Sequence, residues 1–509
     1  MITRLRVDGF KNLAGVDVSF GPFTCIAGPN GVGKSNLFDA ITFLSALSEK
    51  PLLEAAMSVR DEAGRSGDVR SLFHRIGNTY EDTMSFEVEM LVPREAIDEF
   101  GQAAQATITF LRYRITLRYR EGAMAGSVGG LEIIEESLTH ITKGDARKHL
   151  GFNPNKAWRE SAVTGQSTGH RTAAFISTEP GEPAKVKIHQ DGGSRGQPRT
   201  YPAADLPRTV LSGATNAAES PTATVARREM QSWRLLQLEP SALRRPSRFA
   251  DPGKLGADGS NLASTLYHLA RTGGLGSRHR GEASEAASAQ VYATVANRLS
   301  ELIHDVREVR VDRDERRELL TLQVTGRDGT THAARALSDG ALRFLALAVL
   351  DADPEATGVI CLEEPENGIH PARIPAMLEL LQSIATDPEE PTGPDNPLRQ
   401  VIVNTHSPIV VGAASADDLL YADLRETVDA SGRRYGRLAF SCHSDSWRAT
   451  CGDTPAVTKG EILAYLNPAC FQFGSAQDIH RSRAEPSGRR VAEHPDSQLP
   501  LPFSAGGMA

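Results

Sequence analysis

The octet Gly28-Pro29-Asn30-Gly31-Val32-Gly33-Lys34-Ser35 has the G-x-x-x-x-G-K-S spacing of a phosphate-binding loop. Its glycines let the backbone curl until successive N–H groups point at one anion, and a helix starting at the loop's end adds the positive pole of its dipole. In such a loop Asn30, Gly31, Gly33, Lys34, Ser35 and Asn36 surround a nucleoside triphosphate. The Lys34 ammonium reaches the β and γ phosphates, and the Ser35 hydroxyl is a ligand for Mg²⁺. A second cluster, Glu363-Glu364-Pro365-Glu366, closes an apolar run. Two adjacent carboxylates can divide the labour: Glu363 supports the metal, directly or through its water, and Glu364 orients or deprotonates an attacking water. A third motif, Ser338-Asp339-Gly340, opens a strongly apolar helix pattern with Ser338 as its N-cap. It makes a second anion-facing helix start, whereas one triphosphate needs only one loop. Ser338 and Gly340 are therefore expected to meet the γ-phosphate held by another copy of the chain. His406, after a further apolar run, is a candidate sensor of that phosphate.

The elements that must position these groups are legible around them. Phe23 to Ala27 reads as a strand feeding the loop, and Ser35 to Leu47 as the helix leaving it. Thr357 to Leu362 and Gln400 to Asn404 are short, continuously apolar runs ending on polar tips, the pattern of buried parallel strands whose ends face a ligand. If those two strands are neighbours, His406 lies beside Glu363 and Glu364.

Ile2 to Phe10 followed by Lys11 and Asn12, GPNGVGKSNLFDAI, LSDGALRFLAL, VICLEEPENGIHP and VNTHSP together resemble the ATP-binding-cassette heads of the SMC/RecF-related kind. Within that group the chain is similar to the stand-alone AAA-domain ATPases akin to the ATPase half of overcoming-lysogenization-defect (OLD) proteins and to the ATPases of anti-phage systems such as Septu. The resemblance spans residues 1–50 and 330–412, and more weakly 232–270. It implies an α/β P-loop head with an antiparallel β lobe, a mixed or parallel core sheet and an insertion. It also implies a homodimer or higher oligomer that closes on two ATP molecules, each between the loop of one subunit and the LSDG signature of the other. Residue by residue, Lys34 and Ser35 bind phosphate and Mg²⁺, Glu363 supports the metal, and Glu364 is the catalytic base. Ser338 and Gly340 act in trans, and His406 is the switch histidine. Transporter cassettes carry Asp where this chain has Glu363, which suits the OLD-like branch. Gln102 and Gln105 lie at a suitable distance for the glutamine of the family's Q-loop, but their Ala-rich context distinguishes neither, and neither is assigned.

With 509 residues and 40% hydrophobic content, the chain has material for one large head plus accessories. The remaining organisation reads as a first lobe over 1–142 that contains the loop, then a polar insertion over 143–230, partly disordered with some strands, for example Ala184 to His189. A connecting segment with a basic run covers 231–290. The second lobe, 291–425, holds the signature, the paired carboxylates and His406. An accessory segment spans 426–473, and a disordered, Pro/Gly-rich tail 474–509. No coiled-coil arm interrupts the head.

A net charge of −8 means that any nucleic-acid partner must be met by a local basic patch, for which Arg227 to Arg248 and Arg307 to Arg317 are candidates. The scattered cysteines, with no signal peptide and no apolar run of membrane length, suit a cytoplasmic protein without a membrane partner. After His406 no Glu and D-x-D arrangement for a nuclease is visible. A separate effector protein, a nuclease, is therefore expected to dock on 143–230 or 413–470. The alternatives are a single-chain nuclease with an unrecognised site, a transporter cassette, which would need membrane partners, and an ATP-clamped scaffold that does not hydrolyse.

Overall fold

The computed structural model describes residues 1–59, 68–121, 129–165, 174–191, 197–274, 284–428, 432–451 and 454–466. The expected tail, 474–509, lies outside them, as do 467–473 of the accessory segment.

Two hydrophobic patterns build two sheets. Alternating runs form an eight-stranded antiparallel sheet. Its order is Arg199–Pro202, Lys185–Ile188, Ile176–Glu179, Gly130–His140, Phe110–Arg120, Thr83–Leu91, Ile2–Asp8 and Val16–Ser19. Continuous apolar runs form a seven-stranded mixed sheet, ordered Arg234–Leu236, Gly358–Glu363, Arg399–Thr405, Phe23–Ala27, Leu419–Val428, Arg434–His443 and Ala456–Val457. The first five of these are parallel neighbours. Arg399–Thr405 and Phe23–Ala27 are buried along their whole length, which is why neither alternates.

The two faces of the mixed sheet serve different cores. Ile26, Val359, Cys361 and Ile402 pack with the loop helix Lys34–Leu47 and the antiparallel sheet. Cys25, Ala27, Ile360, Leu362, Val401 and Val403 pack with the signature helix Asp339–Asp351 and helix Ile374–Ile384. In the first core Phe10 stacks on Phe43 of the loop helix at 5.8 Å and meets Phe86 edge-on at 5.3 Å, so the opening strand is locked to that helix. A smaller sheet of Ser247–Arg248, Leu319–Gly326, Val306–Asp314 and Thr331–Ala333 joins the second core through helices Leu262–Thr272 and Glu285–Leu302. The α/β class, the antiparallel lobe and the mixed core sheet thus agree with the sequence reading.

Two expectations change. Residues 143–230 carry, among the described residues, three strands that continue the antiparallel sheet, Lys185–Ile188 at the foreseen place, and most of the helix Pro221–Gln231, so this region is more ordered than its composition suggests. Short strands in polar surroundings gain their order by pairing in series, Ile176–Glu179 on Gly130–His140 and each of the next two on the strand before it, neighbours that composition does not reveal. Part of the Arg227 to Arg248 run turns inward, while Arg245 and Arg248 stay exposed. Arg227 is buried against Ser48 O and Glu99, Arg228 donates to Ile97 O, and Arg234 is partly buried. Arg244 holds Leu337 O and Asp339. The second run is interleaved with carboxylates, Arg310 beside Glu308, Arg313 beside Glu315 and Arg317 beside Asp314. Among the described residues no helix is long and apolar enough to cross a membrane.

Candidate functional site

Four parallel strands end on one edge of the mixed sheet, and each contributes a polar residue just beyond its tip: Gln237, Glu364, His406 and the phosphate-binding loop. That edge is where a doubly wound sheet places ligands. A cleft of about 580 Å³ opens there, and Asn30, Gly31, Gly33, Lys34, Ser35, Asn36, Glu363 and Glu364 all line it.

The loop is braced from the opening strand. Asn12 donates to Val32 O at 2.8 Å and accepts from Asn36 Nδ2 at 2.9 Å, spanning both limbs of the loop. Gly33 has φ +100°, and a Cβ there would lie 2.0 Å from Asn12 Nδ2, so only glycine fits. Lys11, one residue earlier, forms a buried ion pair with Asp39 of the loop helix at 2.7 Å. The F-K-N opening is therefore a clamp on the loop: Phe10 packs its helix, Lys11 pairs with it and Asn12 holds the curl. Lys34 Nζ donates to Gly28 O at 2.7 Å and Pro29 O at 2.8 Å. Burial lowers its pKa, opposed by the nearby charges of Glu364, Glu366 and Glu363. A partly desolvated ammonium of this kind gains most from an anion placed beside it.

Glu364 leaves its strand with φ +44°, a conformation few non-glycine residues adopt. Its N–H is held by Asn404 O at 3.0 Å and Asn404 Oδ1 at 3.1 Å. Oε2 accepts from Asn367 Nδ2 at 2.9 Å, while Oε1 lies 2.6 Å from His406 Nδ1. The expected adjacency of His406 and Glu364 is therefore present as a direct contact. Glu366 was not singled out by the sequence reading. It is buried beneath the site, accepts from Thr405 Oγ1, and burial raises its pKa.

Gln237 also escaped that reading, and Gln102 and Gln105 lie instead in and beside a small hairpin strand, Ala103–Gln105, away from the cleft. Gln237 Nε2 donates to Glu363 Oε2 at 3.1 Å. The signal was present in the apolar run ending at Leu236, but its neighbour in the sheet was not. Ser35 and Glu363 both line the cleft, a hydroxyl and a carboxylate whose chemistry suits Mg²⁺, which takes one or two carboxylates and completes its shell with water and substrate phosphate.

Ser338 and Gly340 do not line this cleft. Ser338 is exposed and caps the signature helix, its Oγ accepting from Ala341 N at 3.3 Å. Gly340 is buried against the turn after the carboxylates, where a Cβ would meet Gly368 O at 2.1 Å. Further along the same helix, Arg343 lines the cleft and donates to Leu238 O and Asn367 O.

Residues 23–102 and 205–412, more than half of the chain, match the family described as "AAA domain, putative AbiEii toxin, Type IV TA system". The chain is 40% identical over 74 residues to structural maintenance of chromosomes protein 4 of Caenorhabditis elegans, a match covering 13% of this chain and 5% of that protein. It is 38% identical over 76 residues to structural maintenance of chromosomes protein 1 of Schizosaccharomyces pombe, covering 14% and 5%. The chain thus spans about one twentieth of the length of these relatives. Among solved structures, an Smc head bound to the C-winged helix domain of ScpA aligns over 87% of this chain and 97% of that one, at 12% identity and TM-score 0.43. The SMC head domain from Thermotoga maritima aligns over 87% and 98%, at 13% identity and TM-score 0.36.

Proposed function

The chain belongs to this AAA-domain family and carries an SMC-like, ABC-type P-loop ATPase head, and on that premise we propose that it hydrolyses ATP as a dimer whose closure and opening controls a separate effector. The observation that carries the reading is the convergence of Lys34, Glu363, Glu364 and His406 on one cleft edge, with Ser338 facing outward on the same chain. In this reading the loop N–H groups and Lys34 hold the triphosphate. Glu364 takes a proton from the attacking water, aimed by Asn367 and His406. The strained Glu364 backbone, fixed by Asn404, aims the carboxylate before substrate arrives. Ser35 and Glu363 would hold Mg²⁺, and the ion would supply charge neutralisation for the triphosphate.

A half-site exposed at Ser338 and a second half-site in the cleft are complementary, so two copies complete what one lacks. We propose further, from the sequence resemblance to OLD and Septu ATPases alone, that the effector is a nuclease of a DNA-related or anti-phage system in the cytoplasm, with nucleic acid met through a local basic patch. The test is complementation. Lys34→Ala and Ser338→Arg subunits, each inactive alone, are expected to regain one working site per mixed dimer. Full turnover by a strictly monomeric preparation refutes the shared site.

A further inference from the structure

Helices Ala146–His149 and Lys156–Ala162 stand beside the antiparallel sheet on a small core of their own. Leu150 and Trp158 are fully buried there with Met1, Leu91 and Phe110, so both helices are rigidly mounted. Between them lies a cavity of about 310 Å³ lined by Lys143, Arg147, Lys156 and Arg159, with Ala146 and Val163 as an apolar floor and Glu160 the one acidic residue in its wall. Lys156, Arg159, Glu160 and Val163 follow i, i+3, i+4, i+7 spacing, which puts them on one helical face.

Surface cations are usually balanced, as the Arg307 to Arg317 run is. Here they are not. Residues 142–160 hold five Lys and Arg against Asp145 and Glu160, in a chain of net charge −8. Asp145 is engaged by Lys148 at 2.8 Å and by Thr142. Among the described residues the Glu160 carboxylate pairs only with Lys156, at 3.8 Å. Lys143, Arg147 and Arg159 form no ion pair among the described residues. Arg94 adds a sixth cation by donating to Glu160 O at 2.9 Å. Acidic residues do approach this helix, on the loop containing Asp387, Glu389, Glu390 and Asp395. That loop meets Asn155 and Ser161 on the opposite face and leaves the cavity wall untouched.

We infer that this cavity binds the phosphodiester backbone of a nucleic acid. Like charges gathered on rigid helices repel one another unless an anion lies among them. Among the described residues no aromatic side chain lines the cavity to stack on a base, so recognition is of backbone charge and independent of sequence. The inference deepens the proposed nucleic-acid contact, gives it a location outside the two foreseen arginine runs, and does not depend on ATP hydrolysis.

The experiment is binding of the full chain to a labelled DNA duplex over a salt series without ATP. It compares wild type with Lys143→Glu/Arg147→Glu/Arg159→Glu and with a control, Arg310→Glu/Arg313→Glu/Arg317→Glu. The first triple variant is expected to lose about tenfold or more in affinity, with a salt slope reduced by about one per phosphate contact removed. The control is expected to bind within about twofold of wild type, and fluorescent ATP binding by both variants to stay unchanged, which shows that they are folded. Equal affinity and slope for wild type and the first variant overturns the assigned surface while leaving a nucleic-acid partner in place. No binding by wild type at low salt overturns both. Inorganic tripolyphosphate that competes at the same phosphate concentration as duplex assigns the cavity to a small phosphate ligand and overturns the backbone reading.

Discussion

His406 Nδ1 lies 2.6 Å from Glu364 Oε1, a contact that ties together the tips of two neighbouring parallel strands. The other oxygen of Glu364 is taken by Asn367 at 2.9 Å, so the carboxylate is held from both sides and cannot rotate without breaking one hydrogen bond. A base aimed in this way acts on a water only along a narrow approach. Because His406 touches the carboxylate, any movement of the strand Arg399–Thr405 is felt at the proposed base.

The first prediction separates binding from chemistry. Glu364→Gln keeps shape and removes the base, so turnover is expected to fall by about 10²–10⁴-fold with ATP affinity retained and an ATP-bound dimer trapped on size exclusion. His406→Ala is expected to slow turnover less and to leave affinity nearly unchanged. Lys34→Ala loses ATP affinity itself. Equal loss of ATP binding in the Glu364 and Lys34 variants removes Glu364 from the proposed role.

The second concerns the clamp on the loop. Asn12→Ala deletes hydrogen bonds to Val32 O and from Asn36, each contributing about 1 kcal/mol, and ATP affinity is expected to drop by about tenfold or more while the melting temperature moves little. Gly33→Ala sets a methyl group against Asn12 at a left-handed φ and is expected to abolish binding. Isothermal titration with a non-hydrolysable analogue reads both. Wild-type affinity in Asn12→Ala dismisses the clamp.

What was legible in the chain was what is local. Gly28 to Ser35 and Glu363-Glu364 carry their chemistry within one turn, and the neighbouring strands of His406 and Glu364 could be inferred because both were short, apolar and polar-tipped. Gln237 stayed hidden because the strand before it, Arg234–Leu236, has three residues, and only its pairing with Gly358–Glu363 brings the amide to Glu363. The Arg227 to Arg248 run misled for a related reason. Helix Pro221–Gln231 is packed from several sides, so Arg227 on its inner face finds Glu99 and Ser48 O in the interior. Conversely, the cations at 143, 147, 156 and 159 are too far apart in sequence to read as a patch until Trp158 and Leu150 seat their helices together.

The third prediction follows from Gln237. Its amide fixes Glu363 on the side proposed for the metal, and outer partners of this kind tune affinity by about 10–100-fold. Gln237→Ala is expected to raise the Mg²⁺ concentration for half-maximal turnover by about tenfold, with ATP binding measured without metal unchanged. An unaltered Mg²⁺ dependence removes Gln237 from the site.

The fourth concerns the effector. Among the described residues no group of three or more His, Cys, Asp or Glu side chains is arranged to hold a metal ion, and the one carboxylate pair with strong context faces the ATP cleft. The purified chain, incubated with plasmid, ATP and Mg²⁺ or Mn²⁺, is expected to consume ATP and leave the DNA intact. Cleavage that co-purifies with the chain and survives Glu364→Gln establishes a nuclease site within it and refutes the separate effector.

The last prediction turns on Glu136, which is fully buried in the antiparallel lobe. Burial pushes its carboxyl up to about 7, only partly opposed by the N–H groups of Leu211 and Val210 and the Tyr113 hydroxyl. Its ordinary value is near 4.5. Between these two values the folded chain binds a proton that the unfolded chain has released, so raising the pH favours unfolding. The stabilisation is complete below about 4.5, declines through the window and is gone above about 7, a total of about 3 kcal/mol. Glu136→Gln cannot ionise. It places an amide nitrogen against one backbone donor and so starts from lower stability, but its stability is expected to change less with pH between about 5 and 7. Denaturant midpoints measured across that window read the difference in slope. Parallel pH profiles for the two proteins show that Glu136 titrates at its ordinary value and that the lobe tolerates the buried charge.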